Sequence, residues 1–357
     1  MVKKSTLKGF SKSLIKWYQQ HGRFDLPWQK NQTAYRVWIS EIMLQQTQVA
    51  TVIPYYQRFM QSFPNVKQLA QADEDQVLSH WSGLGYYARA RNLHKTAKHI
   101  HNENKGRFPR TVDALEALPG IGASTAGAIL SFAYQLPTVI CDGNVKRVLA
   151  RLFAIDKPKQ TTEAHKLFWD IATQLTPNKN THLYNQAIMD LGATLCTRSK
   201  PRCDDCPFEN QCQAHALNQE TAFPVSKKKK PNPTKRLHMV ILQNEQGEVL
   251  LEKRPTKGIW GGLWSFPECE LDIDVKQWCQ TAFGVRIRDI SELDVIHHKF
   301  SHFNLEINPL LISIKQARRE TPVPAQQHWH HPSRELPGGI CSPVITLLDL
   351  YAGLDHT

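Results

Sequence analysis

The chain has 357 residues, of which 41% are hydrophobic, and a formal net charge of +12 with a pI near 9.3. Its length exceeds the usual size of one domain and points to two, and its charge favours a polyanionic partner, with nucleic acid first. No stretch approaches the ~18 apolar residues of a membrane span, and the opening MVKKSTLKGF lacks the apolar run of a secretory signal, so a cytoplasmic setting and no membrane partner are expected.

Apolar residues recur at helical spacing up to about residue 220, as in Leu14, Ile15, Trp17 and Tyr18 or in Val148, Leu149, Leu152 and Phe153. Residues 1–222 are therefore expected to form a mainly α domain. Between Tyr35 and Val49, Glu41 stands among Val37, Trp38, Ile42, Met43 and Leu44. A carboxyl in apolar company keeps its proton to higher pH and can act as an acid near neutrality. Helical periodicity alone equally allows an exposed glutamate on a polar face. Further on, Gly83-Leu-Gly-Tyr86-Tyr-Ala-Arg-Ala-Arg places an aromatic on a glycine-shaped loop beside arginines, which suits either base stacking or ordinary packing.

Thr111–Leu118 and Ala123–Tyr134 read as two helices joined by Pro119-Gly120-Ile-Gly122. The glycines permit a tight turn, and the second helix begins with unpaired N–H groups and a positive dipole end that suit a phosphate. An ordinary αα-hairpin has the same signature. Asp142 then follows the apolar Val139-Ile-Cys and precedes a basic amphipathic segment. It reads either as an N-cap or as a carboxylate held at a helix start facing a cleft. Cys196, Cys203, Cys206 and Cys212 next fall in the spacing C-x6-C-x2-C-x5-C, whereas Cys141, Cys269, Cys279 and Cys341 are scattered. In a reducing setting such a knot is a metal or cluster site rather than a pair of disulfides. By ligand chemistry alone, four thiolates suit tetrahedral zinc and an iron–sulfur cluster about equally.

Phe223-Pro-Val-Ser-Lys-Lys-Lys-Lys-Pro-Asn-Pro combines helix-forbidding prolines with a self-repelling lysine run, so residues 223–235 read as a linker. Beyond it, His238–Gln243 and Glu248–Arg254 are short β-like runs parted by Asn244-Glu-Gln-Gly, a hairpin that opens a second domain over 236–357. Strand-like texture returns at Leu293–His298 and Phe303–Ile314, with a helix expected at Val275–Phe283. The second domain is α+β.

The assembled motifs carry a resemblance. LPGIG, the spacing to Asp142 and the four cysteines about fifty residues later resemble the helix-hairpin-helix DNA glycosylases of the endonuclease III superfamily. The resemblance implies that Gly120 and Gly122 shape a DNA contact and that Cys196, Cys203, Cys206 and Cys212 hold a 4Fe-4S cluster. Within the superfamily, Tyr35-Arg-Val-Trp-Ile-Ser-Glu41-Ile-Met-Leu-Gln-Gln-Thr-Gln-Val is similar to the signature of the A/G-specific adenine DNA glycosylases, the MutY family. That likeness implies that Glu41 protonates adenine and that Asp142 stabilises or traps the sugar cation. Asn144 and Ser124 belong to the implied catalytic set. Ser124 stands where the bifunctional pyrimidine glycosylases carry a lysine nucleophile, so base removal by water is expected, with Lys146 able to trap sugar aldehyde slowly. Arg23, Trp28 and Gln186 match positions that frame the adenine, and Gln46, Leu84 and Tyr86 match positions around the mismatch.

Residues 236–357 resemble the Nudix-like C-terminal domain of the same family through Gly258-Ile-Trp-Gly-Gly-Leu-Trp-Ser-Phe-Pro-Glu. A working Nudix hydrolase needs an acidic magnesium-binding helix, and Val275–Phe283 contains no carboxylate. The domain is therefore expected to read the opposite base through Phe300-Ser301-His302, the family's loop for 8-oxoguanine. The expected enzyme is a monomeric, monofunctional adenine glycosylase acting on double-stranded DNA with A:8-oxoG or A:G mispairs and initiating base excision repair. A pyrimidine glycosylase with lyase action, or a non-catalytic iron–sulfur DNA-binding protein, would share several of these motifs.

Overall fold

A computed structural model describes residues 9–227, 230–315 and 326–354. α1 (Phe10–His21) buries Phe10, Leu14, Trp17 and Tyr18, the stripe that helical spacing turns to one side. α2 (Ala34–Leu44) starts where the Thr33 hydroxyl accepts from the Arg36 N–H. It is followed by α3 (Val49–Ser62) and α4 (Val66–Gln71). α5 (Glu74–Trp81) opens on a capping box between Asp73 and Gln76, and α6 (Ala88–Asn102) follows the glycine loop. α7 (Val112–Glu116) and α8 (Ala123–Tyr134) form the hairpin at the place expected. α9 (Gly143–Leu152), α10 (Thr162–Leu175) and α11 (Thr181–Asp190) follow, then a π-helical turn at Leu191–Leu195 and the short α12 (Gln213–Ala216).

The remainder is an eight-stranded sheet with two helices, built from β1 (Thr234–Gln243), β2 (Val249–Lys253), β3 (Trp264–Ser265), β4 (Glu268–Cys269), β5 (Arg286–Glu292), β6 (Ile296–Lys299), β7 (Asn304–Lys315) and β8 (Gln327–His330). Its main path runs β3-β2-β1-β7-β5, with β4 on β1, β6 on β7 and β8 on β2. β1 and β2 make the expected antiparallel hairpin, and β1 and β7 pair in parallel from Thr234↔Asn304 to Gln243↔Ser313. α13 (Val275–Phe283) has the bounds read from sequence, capped by Asp274. With the strands it closes a core of Val240, Leu242, Leu250, Cys279, Ile312 and Ile314. The C-terminal helix α14 (Ser342–Leu354) was not expected.

The chain divides into two compact units, residues 1–71 with 92–229 and residues 72–91 with 230–357. In the first, α2 packs on α8 and α1 on α11. In the second, α5 and the glycine loop join the sheet. Lys253 Nζ pairs with Asp75 at 2.7 Å, and the Tyr87 hydroxyl donates to the Ile340 carbonyl at 3.1 Å. Gly339 approaches so closely that a Cβ there would lie 2.7 Å from the Leu78 backbone. The sequence boundary at 236 had placed residues 72–91 with the helical domain. Their texture is helical, and periodicity does not report which core a helix joins. Lys228 and Lys229 of the expected linker lie outside the described residues. Among the described residues no helix is long and apolar enough to cross a membrane.

Candidate active site

Glu41 lies mid-helix on α2, whose Val37, Trp38, Ile39, Ile42 and Met43 are buried. Glu41 itself is half-buried and lines a cavity, rather than standing on an exposed polar face. Burial, and then the negative charge of Asp142, push the Glu41 carboxyl up to about 8, so its protonated form dominates near neutrality. Asp142 proves to be an N-cap: its Oδ1 accepts from the Val145 N–H at 2.8 Å, fixing the start of α9. Its Oδ2 accepts from Asn144 Nδ2 at 3.0 Å. Burial raises the Asp142 pKa, while the hydrogen bonds from Val145 and Asn144 and the charge of Arg147 oppose that rise.

The two carboxyls face one cavity of about 1110 Å³, which Asn144 and Ser124 also line. That volume accommodates a nucleoside with room to spare. Among the described residues no side-chain hydrogen bond reaches Glu41, whereas Asp142 receives two. When two carboxyls share one proton, it stays on the one without donors and the charge on the one with them. Ser124 acts on the backbone, its Oγ accepting from the Cys141 N–H at 3.1 Å and tethering the segment just before Asp142.

Arg23, Trp28, Gln46 and Gln186 line the same cavity. Arg23 grips Asp190 three ways, through its backbone N–H at 2.8 Å, through Nε at 3.1 Å and through a short contact from its terminal nitrogen. Gln186 Nε2 donates to the same carboxylate at 3.1 Å. Asp190 is wholly buried, and sequence reasoning missed it. The available signal was its position four residues beyond Gln186, one helical turn along the same face. Gln46 has a backbone φ of 58°, a left-handed conformation that a non-glycine residue holds only where its surroundings impose it. Gly120, at φ +79°, must be glycine: a Cβ would fall 2.9 Å from that of Asn92. Gly122 has open space at that position and caps α8.

In the second unit the tandem tyrosines divide their roles. Tyr87 is buried, while Tyr86 is half exposed at a φ of 50°, and Leu84 beside it is packed inside. Phe300, Ser301 and His302 form the turn between β6 and β7, closed by the Phe300 N–H on the Phe303 carbonyl at 2.9 Å. Ser301 and His302 are exposed, and Phe300 stacks on Phe303 with ring centroids 4.5 Å apart.

The four clustered cysteines form no disulfide. Burial raises the Cys206 pKa to about 12, and the charges of Cys196, Cys212 and Cys203 add to the rise, so the four sulfurs share one site. Arg151, buried to 2% exposure, donates from Nη1 to Cys196 Sγ at 3.2 Å and to the Thr197 carbonyl at 2.7 Å, and from Nη2 to the Arg198 carbonyl at 2.9 Å. No carboxylate pairs with this guanidinium among the described residues, and Cys196 Sγ is the side-chain acceptor it meets there. Convergent cysteine sulfurs beside a buried cation fit a cluster, which would supply the negative charge that the burial of Arg151 calls for. Cys203, His215 and Glu220 also bring ligand atoms within 4.8 Å, but the His215 ring is bonded to Glu220 at 2.5 Å, which raises its pKa and occupies that nitrogen. A chain of contacts links the two regions: Arg147 donates to Asn144 Oδ1 at 2.9 Å and, from Nε, to the Cys196 carbonyl at 2.9 Å.

Comparison with known proteins shows the family and the fold. Residues 39–174 match the HhH-GPD superfamily of base excision DNA repair proteins, and residues 238–349 match a NUDIX domain. The chain is 42% identical over 307 residues to an adenine DNA glycosylase of Buchnera aphidicola from Baizongia pistaciae, covering 86% of this chain and 87% of that protein. It is 35% identical to the adenine DNA glycosylase of Mus musculus, covering 88% of this chain and 72% of the mouse protein. Among solved structures, a thermostable thymine-DNA glycosylase superposes with a TM-score of 0.55 at 25% identity, covering 61% of this chain and 100% of that one. Endonuclease III in a non-covalent DNA complex gives 0.53 at 20% identity, over 61% of this chain and 99% of that one, a likeness of fold.

Proposed function

The chain belongs to the adenine DNA glycosylases, and from that premise we propose that it flips out and hydrolyses adenine mispaired with 8-oxoguanine or guanine in double-stranded DNA. The observation that carries this reading is the one cavity that Glu41 and Asp142 share, with two hydrogen bonds donated to Asp142 and no side-chain hydrogen bond to Glu41 among the described residues. A base inside a duplex is out of reach, so the target nucleotide must swing into that cavity. Arg23, Trp28 and Gln186 frame the adenine there, with Asp190 fixing Arg23 and Gln186. Glu41 delivers its proton to N7, which makes adenine a neutral leaving group. As the glycosidic bond breaks, the carboxylate of Asp142 stabilises the oxocarbenium-like sugar, and water completes the hydrolysis.

Ser124 offers no amine, so efficient strand cleavage is not part of the reaction, with Lys146 left to trap sugar aldehyde only slowly. Gln46, Leu84 and Tyr86 act around the mismatch, and Gly120 and Gly122 shape the phosphate contact. Ser301 and His302 offer hydrogen bonds to the opposite base, supported by Phe300. Cys196, Cys203, Cys206 and Cys212 hold a 4Fe-4S cluster, whose contribution when bound is to fix the loop bearing Arg198, Lys200 and Arg202 beside DNA phosphates. We take the helical domain as residues 1–222 and the reading domain as 236–357, the latter working together with the Tyr86 loop.

The test is incubation with a duplex carrying adenine opposite 8-oxoguanine, with and without later alkali, beside an Asp142→Asn variant. Free adenine from the native chain, strand breaks only after alkali and no turnover by the variant are expected. Strand breaks without alkali, at the rate of base loss, would favour a lyase.

A further inference from the structure

The second unit joins two loops that lie far apart in the chain. The first is Gly83–Tyr87, with Gly83 and Gly85 at φ of 94° and 72° and Tyr86 at 50°. The second is the Phe300–His302 turn. An unbroken series of contacts runs between them. At the start of α6, Arg89 donates to the Leu84 carbonyl at 3.2 Å and the Gly85 carbonyl at 3.0 Å, and its guanidinium lies 5.7 Å from the Tyr86 ring centroid. Two residues on, Arg91 donates from Nη1 to the Gly261 carbonyl. Gly261 allows no side chain, since a Cβ would meet the Thr256 carbonyl oxygen at 2.3 Å. Next to it, Trp260 is buried at a φ of 53°. Its ring lies 5.3 Å from Phe300 and 5.4 Å from His298, with the Arg254 guanidinium 5.7 Å from it. Arg254 is itself held by Glu268.

Two non-glycine residues in left-handed backbone, Tyr86 at one end and Trp260 behind Phe300, thus belong to one series of contacts. Such conformations persist only where their surroundings over-determine them, and contact residues hold their geometry only when supported from behind. We propose that Arg91 and Trp260 form a brace holding the Tyr86 loop and the Phe300–His302 turn in one geometry, so that Arg91 is a positioning residue for discrimination of the base opposite the adenine. The proposal rests on the reading of Ser301 and His302 given above. It adds to that reading a residue from the opposite end of the chain.

The experiment measures single-turnover adenine release by the full-length holoprotein, opposite 8-oxoguanine and opposite guanine. Variants are Arg91→Met, which keeps the stem without the donor, Arg91→Lys, which keeps one donor, and Trp260→Phe. Each is made alone and on a Ser301→Ala/His302→Ala background. Arg91→Met is expected to lower the preference for 8-oxoguanine about fivefold, Arg91→Lys less, and neither further on the double-alanine background, the non-additivity of residues in one series. Trp260→Phe should follow Arg91→Met, and it carries the test should that variant not fold. Equal slowing on both substrates, or the full Arg91 effect on top of the double-alanine loss, would overturn the brace. Full preference in the double-alanine protein would overturn the reading of the turn itself, a separate outcome that removes the proposal with it.

Discussion

Asn144 donates to the free oxygen of Asp142 at 3.0 Å and in turn accepts from Arg147 at 2.9 Å, so the orientation of its amide is fixed from both sides. Its hydrogen bond is one of the interactions that hold the Asp142 pKa down against burial. Asn144→Ala should slow adenine release about tenfold, the usual scale for a hydrogen bond to a charged group. It should also move the acid limb of the pH–rate profile to higher pH, because Asp142 then takes up its proton sooner. Single-turnover rates between acid and neutral pH check both effects.

Glu41→Gln should remove activity while stabilising the fold at alkaline pH. Burial raises the Glu41 pKa from 4.5 to about 8 in the folded state. Its contribution to stability is therefore complete below 4.5 and lost as pH rises through about 8. A glutamine carries no such loss. The melting temperature of the variant minus that of the native chain should grow from pH 5 to pH 9, by roughly 2–4 °C for each kcal/mol regained. A constant difference across that range would rule out a buried protonated Glu41.

Asp190→Asn should loosen Arg23 and Gln186 together, since both reach the same carboxylate. Breaking a buried ion pair from one side costs on the order of 3–5 kcal/mol when the remaining charge stays buried. The Arg23 side chain is 25% exposed, so a smaller loss, about 2 kcal/mol, is expected in urea denaturation. Adenine release should slow as well, and an Arg23→Ala/Asp190→Asn double variant should be little worse than either alone.

These relationships differ in how far the sequence disclosed them. α8 and α13 have the bounds expected from it, because periodicity and local caps decide such elements. Asp142 satisfied both of its readings at once, cap and cavity carboxylate, since a helix start is where a capping carboxylate can also face a cleft. Asp190, by contrast, is an ordinary helix residue until Arg23 arrives from the other end of the fold. The membership of residues 72–91 was hidden for the same reason: Asp75, Leu78 and Tyr87 meet their partners Lys253, Gly339 and Ile340 only through tertiary contact. β5, with its polar Arg286-Ile-Arg-Asp-Ile pattern, is an exposed edge strand, and such strands lack the apolar run that marks a buried one.

The cysteine site can be tested apart from catalysis. Iron and sulfide analysis, with broad absorbance at about 400 nm, is expected of a protein holding a 4Fe-4S cluster, and stoichiometric zinc would contradict that assignment. Arg151→Met should lower the iron retained on purification, because the cation that faces Cys196 is gone. Unchanged iron content would show that the Arg151 contacts to the loop backbone are dispensable.

The most direct measurement is the pH dependence of single-turnover adenine release from a duplex carrying adenine opposite 8-oxoguanine. With Glu41 as the acid and Asp142 as the anion, the rate should be bell-shaped, declining as pH rises through about 8. Glu41→Gln should be inactive on both limbs. A rate that stays level beyond pH 9 in the native chain, or that survives Glu41→Gln, would contradict the assignment of the proton to Glu41.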